Sequence, residues 1–264
     1  MKMRADCLFS TNGMRSRRKT LGQHFLNSTR FAKRIAQTAG VRSKLVIEIG
    51  SGRGILTRQL AELAEKVIAV EIDSRLANYL ENLGIPRVDV QNCDFLGIDL
   101  TTFGSSILVG NIPYNITSAI LTKLIENKSY FERAVLTVQK EYGDKMMASL
   151  GSRGYGYFSI YVNYHFKLDK EFVIPARYFS PKPKVSSVVL TLQPKEGSID
   201  AKYEARFFEF VSGVFRYRRK VLRNAILSHL RWLPRDINDD ILEKRLQHLS
   251  IDDFLRIYQK IFGT

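Results

Sequence analysis

Apolar residues along this chain come in two rhythms, and the rhythm changes near residue 155. From Lys44 onward, short apolar runs alternate with segments of helical spacing. KLVIEIG reads as a buried strand, and ILTRQLAELA places Leu56, Leu60 and Leu63 on one helical face. VIAVEID is a second strand and SRLANYLENL a second helix, with Ser74 in an N-cap position. VDVQNCDFL is a third strand with its loop and SSILVGN a fourth, followed by the helix TSAILTKLIENK. FERAVLTVQKE is a fifth strand that runs into the helix EYGDKMMASL. Strand and helix in strict alternation predict a mostly parallel sheet with helices on both faces.

Beyond residue 155 the alternation stops. YFSIYVNYHFKLDKEFVI has strand character throughout, and a proline-punctuated loop, PARYFSPKPK, leads to the final strand VSSVVLTLQP. Consecutive strands predict an antiparallel pair at one sheet edge. QPKEGS is a polar break, and from about Ala201 the spacing is helical, including DINDDILEKRLQHLS and IDDFLRIYQKIF. The expected organisation is a basic N-terminal tail over 1–19, an α/β domain over 20–195 and a small all-helical domain over 196–264.

Composition narrows the partners. Hydrophobic residues make up 45% of the 264, enough for a true core. The formal net charge is +15, which favours a polyanionic partner. Cys7 and Cys93 lack CxxC partners, so neither a zinc site nor a disulfide framework is indicated, in keeping with a reducing cytoplasmic interior. No apolar run approaches the roughly 20 residues that cross a bilayer, and the N-terminus lacks the apolar stretch of a secretory signal. No metal and no membrane partner is expected, and a monomer is.

The chemistry concentrates where strands end. VIEIGSGRGILT sets Gly50, Gly52 and Gly54 between a strand and a helix, with Glu48 just before them. Glycines there let a ligand approach the backbone and the helix N-terminus. The spacing is neither the dinucleotide fingerprint nor a phosphate loop, which disfavours a nicotinamide oxidoreductase. Roughly 20 residues on, Glu71 ends the second strand where ribose hydroxyls bind in doubly wound sheets. Asp94 follows the third strand, so a nucleoside with a free diol fits this edge.

The fourth strand ends in Asn111-Ile112-Pro113-Tyr114. With the loop and acids, this tetrad resembles the class I S-adenosylmethionine-dependent methyltransferases. The resemblance implies a Rossmann-like α/β domain and a site for a planar nitrogen nucleophile. An adenine exocyclic amine is a poor nucleophile because its lone pair is delocalised into the ring. Two acceptors, the Asn111 side-chain oxygen and a main-chain carbonyl near Ile112 or Pro113, can draw its protons and localise that pair. Pro113 fixes the backbone and Tyr114 can stack on the base.

RRKTLGQHFLNS, EIGSGRGILT, GNIPYNIT, QKE and YFSPKPKVSSVVL, in this order, are similar to the KsgA/Dim-type ribosomal RNA adenine dimethyltransferases. The resemblance runs over about residues 18 to 193 and more loosely through FFEFVSGVFRYRRKVLRNAI. It implies S-adenosylmethionine as cofactor, held at His24, Leu26, Gly50, Glu71, Asp94 and Asn111, with the neighbours Glu48, Gly52, Ile72 and Phe95. It also implies that Phe179 sandwiches the target adenine against Tyr114. The implied substrate is a pair of adjacent adenosines in the 3′-terminal hairpin loop of small-subunit rRNA within a pre-ribosomal particle. The alternatives are an Erm-type large-subunit enzyme, which GSGRG and NIPY also resemble, and an RNA-binding assembly factor with secondary methylation.

Arg17, Arg18 and Lys19, then Lys182 and Lys184, then Arg216, Arg218, Arg219, Lys220 and Arg223 form three basic runs suited to RNA phosphates. Phe207, Phe208, Phe210 and Phe215 have core spacing, while Tyr155, Tyr157, Phe158, Tyr161 and Tyr164 read as sheet packing and His165 as a structural strand residue.

Overall fold

The computed structural model describes residues 24–197, 199–234 and 237–263. The basic tail, with Arg17, Arg18 and Lys19, lies outside the described residues. The chain divides into two compact units that interleave in sequence: Met1–Lys140 with Lys167–Pro194, and Glu141–Phe166 with Lys195–Thr264. The expected division near residue 195 is therefore one crossing among three, and residues 141–166 fall with the helical unit.

The first unit opens with β1 (Phe25–Leu26) and α1 (Thr29–Ala39). It then alternates β2 (Leu45–Ile49), α2 (Ile55–Ala61), β3 (Lys66–Val70), α3 (Ser74–Asn82), β4 (Val88–Gln91), β5 (Ser106–Asn111), α4 (Thr117–Glu126) and β6 (Phe131–Gln139). After the excursion through α5 (Lys140–Met146) and α6 (Tyr157–His165), it closes with β7 (Phe166–Ile174), β8 (Phe179–Ser180) and β9 (Ser187–Pro194). The seven-stranded order is β4-β3-β2-β5-β6-β9-β7. β2 pairs in parallel with β3 and β5, and β9 is antiparallel to β6. Central strands such as β5 are buried nearly end to end because helices cover both faces, which explains their uninterrupted apolar runs. A separate two-residue ribbon pairs β1 with β8, setting Leu26 opposite Phe179.

Two local expectations are corrected here. Asp73, not Ser74, caps α3, its carboxylate accepting from Arg75 N at 2.9 Å. Ser74 is the first helical residue. The segment Tyr157–His165 is the helix α6, not a strand, and β7 begins only at Phe166.

Gly110 occupies β5 directly before Asn111. A Cβ there would lie 2.9 Å from the Ile49 backbone oxygen, the Ile49 Cβ and an Ile112 methyl. Since backbone cannot yield as a side-chain tip can, Gly110→Ala is expected to cost about 1–3 kcal/mol. A thermal melt showing no loss would contradict this packing.

The helical unit adds α7 (Ala201–Phe215), α8 (Leu222–Leu230) and α9 (Ile251–Phe262). Phe207, Phe208, Phe210, Val211 and Val214 of α7 form its core with Leu222, Ile226, Phe254 and Ile257. The expected core role of these phenylalanines holds. Tyr161 and Tyr164 pack edge-on against Phe208 at 4.8 and 5.0 Å, so they serve a helical core rather than a sheet. His165 is buried at the end of α6, against Tyr161, Tyr164 and Phe208. From Ile237 onward, the described part of DINDDILEKRLQHLS forms two short 3₁₀ turns, Asp240–Glu243 and Leu246–His248, instead of a helix. The Asp239 side chain captures Ile241 N and also binds Arg256 and Lys260, giving the backbone a local alternative to α-helix. Ser250 and Asp253 form a reciprocal capping box that starts α9.

Candidate active site

The glycine loop between β2 and α2 requires glycine at three places. Gly50, Gly52 and Gly54 have φ of 72°, 56° and 79°, in the left-handed region. The turn is clamped by Glu71, the first residue beyond β3. Its Oε2 accepts from Gly52 N at 2.8 Å and its Oε1 from Asp73 N at 2.9 Å. Asn92 holds the same strand end from the other side, donating to the Glu71 carbonyl at 2.8 Å. Two backbone donors leave a carboxylate with further acceptor capacity, so Glu71 can still receive hydroxyl protons from a diol.

Asn111 closes β5. Its Nδ2 donates to the His24 carbonyl at 2.8 Å, which commits the amide's donor end and leaves Oδ1 as the acceptor. One main-chain acceptor, the carbonyl of Ile112 or of Pro113, was expected beside it. The Pro113 carbonyl already receives Ile116 N at 3.1 Å and Thr117 Oγ1 at 3.3 Å, whereas the Ile112 carbonyl has no partner among the described residues. Of the two carbonyls, that of Ile112 is the one left uncommitted. Tyr114 is half-buried, its hydroxyl 3.0 Å from Ser187 Oγ and its ring 5.1 Å from that of His24. Burial raises its phenol, and the Ser187 contact opposes this weakly. The His24 Nδ1 lies 2.7 Å from the Pro181 carbonyl, joining β1 to the FSPKP loop.

His24, Gly50, Glu71, Asn111, Pro113 and Tyr114 line one cleft, together with Phe25 and Ile112. Only the Asn111 carbonyl lies within 4 Å of a Cβ built at Gly50, so a side chain there would enter the cleft. Phe25 was missed. Its ring would meet a Gly52 Cβ at 3.0 Å and lies under the Arg53 guanidinium at 5.3 Å. The signal was strand alternation: if Leu26 points to the core, Phe25 faces the other way.

Other predicted residues lie elsewhere. Phe179 is 3% exposed and packs with Leu26, Ala32 and Ile35 under α1, so this conformation does not bring it opposite Tyr114. Leu26 and Phe95 are likewise buried. Ile72, 51% exposed, and Asp94, which caps the turn at Leu96, stand at strand ends outside the cleft lining. Lys182 and Lys184 are exposed, as are Arg216, Arg218, Arg219 and Lys220. Arg218 donates to the Arg153 carbonyl, Lys220 to Ser228 Oγ at 2.8 Å, and Arg223 pairs with Glu243 at 2.7 Å.

Glu48 is not a cleft residue. It sits inside β2, opposite Ala69 and Val109, 1% exposed, and its Oε2 has no partner among the described residues. Burial pushes its carboxyl up to about 8, with Thr57 and Ser51 opposing and Glu71 adding to the rise. Below the carboxyl's ordinary value both folded and unfolded chains hold this proton. Between about 4.5 and 8 only the folded chain does, so stability falls as pH rises, by about 1.4 kcal/mol per pH unit. Glu48→Gln is expected to flatten the melting temperature over this window and raise it most near pH 8. An unchanged pH profile would refute a protonated Glu48.

The sequence profile of the ribosomal RNA adenine dimethylase family matches residues 14–262. The chain belongs to that family. It is an enzyme of this class, with S-adenosylmethionine as the methyl donor. A ribosomal RNA small subunit methyltransferase A from Thermotoga petrophila is 39% identical over 247 residues, covering 92% of this chain and 91% of the relative. The homologue of the same name from Desulfitobacterium hafniense is 37% identical over 256 residues, covering 92% and 91%. Among solved structures, a dimethyladenosine transferase from Plasmodium falciparum superposes with a TM-score of 0.76 at 29% identity, over 90% of this chain and 97% of that one. The 23S rRNA methyltransferase ErmE gives 0.66 at 28%, over 90% and 99%. The expected α/β methyltransferase fold, with an antiparallel edge and a helical C-terminal part, is the observed one. No helix among the described residues is long and apolar enough to cross a membrane, and no group of three metal-ligating side chains is present among them.

Proposed function

We propose that the chain dimethylates the exocyclic amines of two adjacent adenosines in the 3′-terminal hairpin loop of small-subunit rRNA. The observation that carries this reading is the Asn111 amide, its donor end held by the His24 carbonyl at 2.8 Å, in a cleft that Ile112, Pro113 and Tyr114 also line. When bound, S-adenosylmethionine supplies an electrophilic methyl on a positively charged sulfur. Glu71 and the glycine loop hold the donor's nucleoside part, and His24 and Phe25 form the wall of the cleft. Asn111 Oδ1 and the Ile112 carbonyl accept hydrogen bonds from the amine's N–H groups, two in the first transfer and one in the second, turning its lone pair out of conjugation. Tyr114 stacks on the base. Bound there, the donor would give its methyl to the amine, whose displaced proton passes to solvent, so no strong general base is required.

Curated relatives at 37–39% identity are named for the small subunit, which supports that substrate over the large-subunit alternative. On this reading the protein acts in the cytoplasm as a monomer on an immature small subunit and takes part in its biogenesis. The flipped base costs a few kcal/mol to extrude, and exposed cations supply sequence-independent affinity for phosphates.

The test is transfer of labelled methyl to unmethylated small and large ribosomal subunits, side by side, with the modified nucleosides identified. Dimethyladenosine at two adjacent small-subunit positions is the expected result. Label confined to large-subunit RNA would overturn it, and donor binding without transfer would point to an assembly factor.

A further inference from the structure

We propose that the outer face of α1, together with Arg177, docks the phosphate backbone of the RNA stem that carries the target loop. This rests on RNA being the substrate, as argued above. The cations of this surface are not those of the basic runs in the sequence. Three of them are spaced along one helix, and Arg177 joins them only in the fold.

α1 reads TRFAKRIAQTA and contains no acidic residue. Its inner face, Ala32, Ile35, Ala36 and Ala39, is buried, which leaves Arg30, Lys33 and Arg34 exposed outward. Among the described residues no carboxylate forms an ion pair with these three or with Arg177. The arginines are instead steadied by rings. The Arg34 guanidinium lies 3.9 Å from the Phe172 ring centre, and that of Arg177 lies 5.0 Å from the Tyr178 ring centre. Phe31 links them, 4.9 Å from Tyr178 and 6.2 Å from Phe172.

Three physical points turn this surface into a binding site rather than a solvated face. First, a guanidinium laid on a ring keeps its edge N–H donors and full charge for another anion, whereas one paired with a carboxylate does not. Arg223, held by Glu243, shows the contrast in the helical unit. Secondly, Arg30 lies in the first turn of α1, where the helix dipole disfavours cations, so helix stability does not account for it. Thirdly, the surface is continuous with the cleft. Asn27 N donates to the Tyr178 carbonyl at 2.9 Å, β1 pairs with β8, and His24 reaches the Pro181 carbonyl. A stem lying along α1 would enter the region beside His24 and Tyr114, and a net charge of +15 favours nucleic acid there over an acidic protein segment only in combination with this continuity.

The experiment compares wild type, Arg30→Gln/Lys33→Gln, and the triple variant that adds Arg34→Gln, with Lys66→Gln as control because Lys66 already pairs with Asp89. The probe is a synthetic hairpin RNA with unmethylated adenosines in its loop, titrated from about 50 to 200 mM salt. The triple variant is expected to bind at least about 10-fold more weakly at low salt, with its log-log salt slope reduced by about three, and by about two in the double variant. Its KM for RNA should rise while kcat at saturating RNA stays unchanged, and Arg30→Lys/Arg34→Lys should restore the slope. Should Arg34→Gln lower the melting temperature through its lost ring contact, the double variant decides. An unaltered slope in the variants would overturn the proposal. So would normal binding to naked RNA with weaker binding to intact subunits, which would mean a protein contact. Because binding is read without catalysis, wild type that binds the hairpin but transfers no methyl would sink the proposed activity and leave this surface standing.

Discussion

Replacing Asn111 by Ala is expected to lower kcat for methyl transfer by about 10²–10³-fold, with the melting temperature nearly unchanged. The amide oxygen is one of two acceptors available to localise the amine's lone pair, and its removal acts in the transition state more than on binding. KM for RNA should therefore move little. Asn111→Asp separates acceptor from donor: it keeps an oxygen for the amine but sets a second oxygen against the His24 carbonyl, where Nδ2 now donates at 2.8 Å. Intermediate activity is expected. A folded Asn111→Ala enzyme with full activity would remove Asn111 from the chemistry altogether.

The second large effect is on donor binding. Glu71→Ala deletes the group that receives both Gly52 N and Asp73 N. Hydrogen bonds to charged groups contribute about 1.5–3 kcal/mol each, and two toward a diol correspond to at least about 100-fold in affinity. Calorimetric titration with S-adenosylmethionine should show that loss. Glu71→Gln, which keeps one acceptor oxygen, should fall between. Unchanged donor affinity in Glu71→Ala would mean that the donor is held elsewhere. The variant's melting temperature should fall as well, since the loop glycines lose their clamp.

Much of the catalytic unit was legible because parallel strands buried on both faces must be largely apolar, as in the Ile107–Val109 run of β5. The glycine spacing and the acid at the end of β3 were legible for a related reason: backbone conformation and ligand chemistry restrict which residues can stand there. What escaped depended on partners distant in sequence. YFSIYVNYH has the aromatic and β-branched content of a strand, yet it is the helix α6, because Tyr161 and Tyr164 find Phe208 to pack against. Phe179 belongs to a loop motif that suggests exposure, and only the β1–β8 ribbon reveals it as a core residue opposite Leu26. Glu48 looks like a site acid from its position before the glycines, but strand alternation gives no warning that a central strand with both faces covered buries it. The cations of α1 were passed over because they form no run. Their significance comes from the Phe172 ring under Arg34, more than a hundred positions away, and from Tyr178, which brings Arg177 beside Phe31.

The interleaving of the two units has a consequence for biosynthesis. α6 leaves the translating ribosome early, carrying Ile160 and Tyr164, but the α7 rings that cover them follow only after β7 and β9 have emerged. At about 5–20 residues per second, that face is bare for an interval on the order of seconds. A nascent chain whose Pro194 has just cleared the ribosome would hold the strands of its sheet and a helix without its partners, a natural target for chaperones. No single scission of the finished polypeptide can free either unit intact.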